Sequence, residues 1–339
     1  MRANLTRRAL LASSFGVALI AGLAVGVPSA DAQQRTLRLS HHLAPGHLVD
    51  TASNRFAELV AEATGGAVRI EVFPAGQIAG LRQGAEAVQL GTVDFVWSDF
   101  GTLANWRPEY GFVSLPFLFA DDAHFDAVFS GPVGEELRQS VQSNLGIEAL
   151  EYGNAGFRVI ATRNAAVNVP GDLAGVRIRV PEVPVYVNAF RAVGANPTPM
   201  AWGEVYTALQ TGVIDAVENP PEGLAVGAMQ EVTNHLSRTF HIMTDVSLFA
   251  NGGTMASLSA EQQAAVRAAA REAVTEFNQL TREATQQYWD TLAATLQANE
   301  TPDVAAFQEA MAPVWDEFVS QTGAAGQGWI DRVVAATPN

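Results

Sequence analysis

The sequence contains no cysteine, which excludes disulfides, thiolate metal sites and thiol catalysis. It also contains no lysine: all 20 basic residues are arginine. That removes Schiff-base chemistry, covalent attachment of pyridoxal phosphate and the Walker phosphate loop. The G-x-S-x-G nucleophile elbow, the strong zinc spacings and a dinucleotide fingerprint after a strand are all missing, as are internal repeats, low-complexity runs and Pro/Ser linkers. Positive charge is scarce. Thirty-five Asp and Glu give a formal net charge of −15, and losing Arg2, Arg7, Arg8 and Asp31 with a leader leaves −17. Nucleic acid and anionic membrane surfaces are therefore repelled as partners. An anionic ligand needs a local arginine cluster, which screening beyond about 8 Å permits.

What is present begins with an export signature. Arg2, Arg7 and Arg8 precede an apolar run from Ala9 to about Val27, and Ser29-Ala30-Asp31-Ala32 offers small residues for cleavage, so residues 1–32 read as a signal peptide. An uncleaved anchor is the alternative, but Gly16, Gly22, Gly26 and Pro28 interrupt the run and no second long apolar segment follows. Thr6-Arg7-Arg8-Ala9-Leu10-Leu11 loosely resembles a twin-arginine signal, and the export route, Sec or Tat, stays open. The remaining length suits two lobes.

Strands expected at Thr36–Ser40, Val68–Phe73 and Val93–Trp97 alternate with helices at about Val49–Ala63 and Arg82–Leu90. This βαβ spacing argues for ligand loops at the carboxyl ends of the strands, with His42, His47, Gln83 and Trp97 to Asp99 at one rim. Helical segments are expected from Asp121 to Val141 and over Val183–Val193 and Trp202–Thr211. Gly212 closes the last of these before a strand at Val213–Val217. Ser259-x-x-Gln262 is a capping box opening one long alanine-rich helix to about Leu296, long enough to brace both lobes. A final helix is expected over about Val304–Thr322.

Arginines carry the chemistry. Arg158, Arg177 and Arg179 lie on short β-branched runs, and in Val176–Val180 the two arginines share one strand face. A planar guanidinium presents two parallel donors that fit a carboxylate, and Asn219 adds an amide, so these residues suggest an organic-anion site. An ordinary solvated surface pair is the alternative reading. Trp97, Trp202, Phe157 and Phe240 are placed to wall a pocket, although single aromatics also serve cores. His41, His42 and His47 with Asp50 carry no metal-ligand spacing, and no metal or catalytic residue is assigned.

The blocks GFRVIATRN, DLAGVRIRVPEVPVY and GANPTPMAWGEVYTALQTGVIDAVENP, with TGGAVRIEVFPAGQIAG, VQLGTVDF and LPFLF upstream, resemble the solute-binding proteins of tripartite ATP-independent periplasmic (TRAP) transporters, DctP type. The resemblance implies an α/β, two-lobed periplasmic binding protein fold: each lobe a mixed sheet flanked by helices, with a long helix bridging both. The implied lobes are 33–155 plus about 245–285, and 156–244 plus about 286–325. It implies a monomeric periplasmic receptor without cofactor or catalysis, which closes on a small organic acid and delivers it to the small and large membrane subunits of a permease. C4-dicarboxylates and sugar acids such as uronates both fit that role. The carboxylate is expected between Arg179 and Arg158 with Asn219 beside it; His42, Gln83, Trp97, Trp202 and Phe240 complete the implied site, while Arg177 is a surface residue. Leu81 and Gln83 stand where relatives often have acidic residues, so the ligand does not transfer directly. An exported enzyme acting on an organic acid, an ABC-type receptor and a sensor subunit remain the alternatives.

Overall fold

The computed structural model describes residues Gln34–Pro338; the leader expected over residues 1–32 lies outside them. Thirteen strands follow in chain order: β1 (Arg35–Ser40), β2 (Val68–Phe73), β3 (Phe95–Ser98), β4 (Ile147–Glu151), β5 (Asn154–Phe157), β6 (Val159–Thr162), β7 (Arg177–Val180), β8 (Asn196–Pro199), β9 (Ala216–Asn219), β10 (His235–Ser237), β11 (Met243–Asp245), β12 (Ser247–Asn251) and β13 (Gln297–Asn299). They form one mixed sheet in the order β2-β1-β3-β12-β4 and a second in the order β13-β10-β6-β9-β7-β8. This is the expected α/β architecture of two helix-flanked mixed sheets.

Local chemistry explains the elements. In β1, Leu37 and Leu39 point into the core while Thr36 and Arg38 face out, the period of two expected of a half-buried strand. β1 runs parallel to β2 and β3, and helices connect them as parallel pairing requires. The connecting helix Leu48–Ala63 buries Val49, Ala52, Phe56 and Val60 on one face.

β5 and β11 pair only with each other, antiparallel, and are the two segments by which the chain passes between the sheets. A third passage is the helix Ala260–Ala293. Its 34 residues span about 51 Å, and Ser259 and Gln262 form the expected capping box at its start. Val266, Ala269, Ala270, Ala273, Val274 and Phe277 enter the core beneath the first sheet, whereas Trp289 and Leu292 enter that of the second. One helix thus serves both cores.

β3 starts at Phe95 rather than at Val93, and two elements differ further from expectation. The strand expected at Val213–Val217 is β9, Ala216–Asn219. Gly212 closes the preceding helix in the left-handed conformation (φ 74°), and the amides of Val213 and Ile214 both bond back to Ala208 O, so these apolar residues belong to the turn. The final helix is two: Pro313 starts a new helix after Val304–Met311, and the chain continues to Ala335 with Gly323 left-handed inside it. Among the described residues, no helix is long and apolar enough to cross a membrane.

Candidate functional site

A cavity of about 70 Å³ lies where strand ends from both sheets meet the β5–β11 ribbon. By the usual 10–15 Å³ for one water, it has room for roughly five. From the first sheet, β1 delivers His42 and His47, and Asp99 follows β3. From the second, β7 delivers Arg179 and β9 delivers Asn219, with Glu222 just beyond. β1, β3, β7 and β9 all have parallel neighbours, and the carboxyl ends of such strands are where open α/β sheets leave their crevice. Thr244 and Asp245 enter from the ribbon.

The two arginines of this cavity are in opposite electrostatic situations. Arg158, 4% exposed, turns Nε and Nη2 onto the carboxylate of Glu218, which is fully buried, and Nη2 also donates to Glu218 O at 2.8 Å. Its Nη1 donates to Thr244 Oγ1 at 3.1 Å. Behind Glu218, His241 Nε2 donates across 3.3 Å to the carboxylate, which only accepts and so fixes the proton of the neutral ring on Nε2; its Nδ1, 2.8 Å from Thr239 Oγ1, accepts from that hydroxyl. Burial alone would lower the pKa of Arg158, but Glu218 and its other neighbours hold it above the ordinary arginine value. Burial likewise opposes ionisation of Glu218, and Arg158 and His241 overcome it.

Arg179 has no such partner. It is 3% exposed, its Nε and Nη2 both donate to Met200 O at 2.9 and 2.7 Å, and among the described residues no carboxylate forms a salt bridge with it. Burial pulls its pKa down to about 10; Glu218 opposes that and Arg158 reinforces it. The group stays charged at neutral pH, as a buried cation without a counter-anion. Of its five N–H bonds three remain, including one on each terminal nitrogen along the outer edge, a second edge of the guanidinium that can hold a carboxylate in bidentate fashion. Trp202 covers the guanidinium carbon at 5.3 Å from its ring centroid, and Tyr186 covers Arg158 at 4.9 Å. Asn219 is held by close packing: a Cβ at Gly223 would sit 2.7 Å from Asn219 Oδ1.

Three carboxyl groups join Leu43, Leu81, Ala155, Pro181, Pro220 and Val246 in the rest of the wall. Asp99 Oδ1 accepts from Thr102 N at 2.5 Å as the cap of the short helix Phe100–Leu103, and Asp245 Oδ2 accepts from Phe100 N at 2.8 Å. Glu222 Oε1 accepts from Leu48 N at 2.6 Å, while its buried Oε2 has no partner. Burial, followed for Asp245 by the neighbouring Asp99 charge, drives all three pKa values up, that of Glu222 to about 7. His42 and His47 go the other way, both to about 3, through burial first and then their histidine neighbours. His47 Nδ1 accepts from Val49 N at the start of the helix Leu48–Ala63, and His41 Nε2 meets Asp50 at 3.3 Å.

The cavity therefore gathers Arg158, Arg179, Asn219, Trp202 and His42. Three other expected residues lie elsewhere. Trp97 is fully buried beneath the first sheet, its ring 5.6 Å from Phe277 of the long helix, because its side of β3 faces the core. Gln83 is exposed and folds back over its own helix start at Gly80. Phe240 is 36% exposed and packs outside on Phe157, with centroids 5.5 Å apart. Arg158 lines the cavity as expected, but Glu218 already occupies its Nε–Nη2 fork. Arg177 pairs with Asp215 at 2.7 Å on the surface: it shares a face with Arg179 but lies at the open end of β7. Asp245, Thr244 and Glu222 had not been singled out from the sequence. Only Glu222, three residues past Asn219, had a local signal.

Comparison with known proteins places this geometry in context. A family model described as bacterial extracellular solute-binding protein, family 7 (DctP), matches residues 39–322. A solute-binding protein of Verminephrobacter eiseniae is 34% identical, with 87% of this chain and 88% of that protein covered. The C4-dicarboxylate-binding periplasmic protein DctP of Rhodobacter capsulatus is 30% identical, over 94% and 96%. Among solved structures, a TRAP periplasmic solute-binding protein of Roseobacter denitrificans with bound β-D-glucuronate superposes with a TM-score of 0.85 at 29% identity, covering 88% of this chain and 99% of that one.

Proposed function

The chain belongs to the DctP family, family 7 of the bacterial extracellular solute-binding proteins, and from that membership we propose a mode of capture for its role as the solute receptor of a TRAP transporter. A small organic acid docks its carboxylate on the outer edge of Arg179, with the Asn219 amide beside it. Arg158, already neutralised by Glu218, contributes field and one N–H rather than a second grip. The observation that carries this reading is a buried guanidinium with no carboxylate partner among the described residues, because an uncompensated buried charge is costly until an anion joins it.

The ligand's preference for a closed cavity drives closure. We take the lobes as 34–155 with about 245–285, and 156–244 with about 286–325, so that Glu222 and the Leu48 amide meet across the crevice. Delivery to membrane permease subunits from the periplasm completes the proposed cycle. Isothermal titration with an organic-acid panel tests the anchor. Arg179→Lys keeps the charge and loses the fork, and is expected to weaken the best ligand roughly 10–100-fold. Titration of Arg179→Gln at unaltered affinity overturns the assignment.

A further inference from the structure

Glu222 differs from the other carboxyl groups of the cavity in where its hydrogen bond goes. Oε1 accepts from Leu48 N at 2.6 Å, and on the lobe division taken above that bond joins one side of the crevice to the other. The side chain sits on the short helix Pro221–Val226, which with its cap Gly227 also touches two residues placed around the ligand. Asn219 Oδ1 lies against Gly223, where a Cβ would come within 2.7 Å, and the Trp202 ring lies against Gly227, where a Cβ would come within 2.9 Å. Trp202 in turn packs on the apolar core beneath the first sheet as well as on that of the second. One short helix thus connects the ligand contacts to a bond that holds the crevice shut.

The carboxyl group loses water in making that bond. Glu222 is 4% exposed, and its Oε2 has no partner. Opening the crevice returns the group to a full hydration shell, whereas closing it leaves a single amide in place of that shell. An incompletely bonded buried carboxyl holds a proton more tightly than a hydrated one. Its surroundings do not reverse this. Facing it from the helix Leu48–Ala63 are His47, whose Nδ1 lies 3.5 Å from Oε1 and already accepts from Val49 N, and Asp50, whose carboxylate is taken up by His41 and the amide of Gly46. The long helix presents Tyr288, whose hydroxyl keeps its proton through burial and the Glu222 charge. Around the cavity lie His42, Asp99, Asp245, Arg179 and the Arg158–Glu218 pair, and among the described residues neither arginine forms a salt bridge with Glu222. His42 and His47 are neutral at physiological pH, each lowered to about 3 by burial and then by histidine neighbours. Burial raises Glu222 to about 7, against the Leu48 amide, which favours the anion.

Resting on the capture mode proposed above, we infer that Glu222 is a positioning residue for closure: it latches the two lobes through the Leu48 amide, and the receptor takes up a proton at this carboxyl as it shuts on its ligand. Closure, and affinity with it, strengthens as pH falls. The closed form binds the proton more tightly than the open one, so the contribution is complete below the ordinary carboxyl value of 4.5 and is lost as pH rises through 7.

The test is calorimetric titration of the full mature chain with D-glucuronate, D-gluconate and succinate as probes, at pH 5.5, 7 and 8 and in two buffers of different ionisation enthalpy. The tightest probe is expected to bind roughly 10–30-fold more weakly at pH 8 than at pH 5.5, with uptake of about half a proton at pH 7. Glu222→Gln keeps the shape and the acceptor for Leu48 but cannot ionise, so its affinity should not change with pH and no proton should be taken up. Small-angle scattering of the ligand-free parent reads the latch without a probe or a variant: the chain should be more compact at pH 5.5 than at pH 8. A flat affinity profile without proton uptake in the parent overturns the latch, as does a pH dependence that persists in Glu222→Gln; loss of the same binding in Arg179→Gln then leaves the anchor standing. Should no probe bind, scattering that does not change with pH overturns the latch. Binding that survives Arg179→Gln removes the anchor instead, and the pH profile still decides the latch.

Discussion

Arg158 and Arg179 are chemically identical and buried to nearly the same extent, yet they make opposite contributions to stability. Arg158 belongs to an ion pair with Glu218, and removing one partner strands the other charge in the interior. Arg158→Ala is expected to cost about 3–5 kcal/mol of unfolding free energy, on the order of 10 °C in a thermal melt. Arg179→Gln removes an uncompensated cation, so the ligand-free melting temperature should stay level or rise while ligand-induced stabilisation disappears. Equal destabilisation by both variants would refute the distinction. Glu222 supplies a pH signature. Its folded pKa of about 7 exceeds the ordinary 4.5, so its contribution is complete below about pH 4.5 and is lost as pH rises through 7. Glu222→Gln cannot titrate. The stability of the parent chain relative to this variant should therefore fall between pH 5 and 8, by on the order of 3 kcal/mol at most. His47, neutral through that range, does not offset the change. A difference that stays flat with pH would count against a buried carboxyl at this position. Arg179 was legible as an anion-binding candidate because its run alternates. The partnership of Arg158 with Glu218 was not, since no local pattern says which carboxylate faces which guanidinium across two strands.

At the scale of elements, the helix Ala260–Ala293 offers the clearest test. Ala269, Ala270 and Ala273 are buried where this helix lies against Leu48–Ala63, and small side chains set how closely the two axes approach. Ala273→Leu should overpack that contact and cost about 1–3 kcal/mol, whereas Ala268→Leu, on the exposed face, should change stability by less than about 0.5 kcal/mol. Chemical denaturation of the two variants decides it, and equal values would mean that the contact is not tight. This helix was readable in advance from Ser259, Gln262 and an unbroken alanine-rich run. The elements misread were those where apolar residues serve a turn. Val213 and Ile214 look like a strand but fold back on a helix end, and Pro313 resets a helix that periodicity alone carries straight through.

For the molecule as a whole, the alternation of strands with helices and the long helix were accessible to pattern and spacing, because both encode local geometry, whereas the division into two mixed sheets was legible only through the resemblance to the family. The acid wall was not. Phe100 and Asp245 are 145 residues apart in sequence and meet only because β12 inserts between β3 and β4. That insertion also bears on synthesis. The first sheet cannot be completed when its first four strands have emerged, because the fifth to arrive, β12, belongs inside it and is translated only after β6 to β10 of the other sheet. The second sheet in turn waits for β13 at its edge, beyond the long helix. Neither half corresponds to a continuous stretch of gene, so a nascent chain leaving the ribosome or an export channel holds both halves unfinished until its last hundred residues are free.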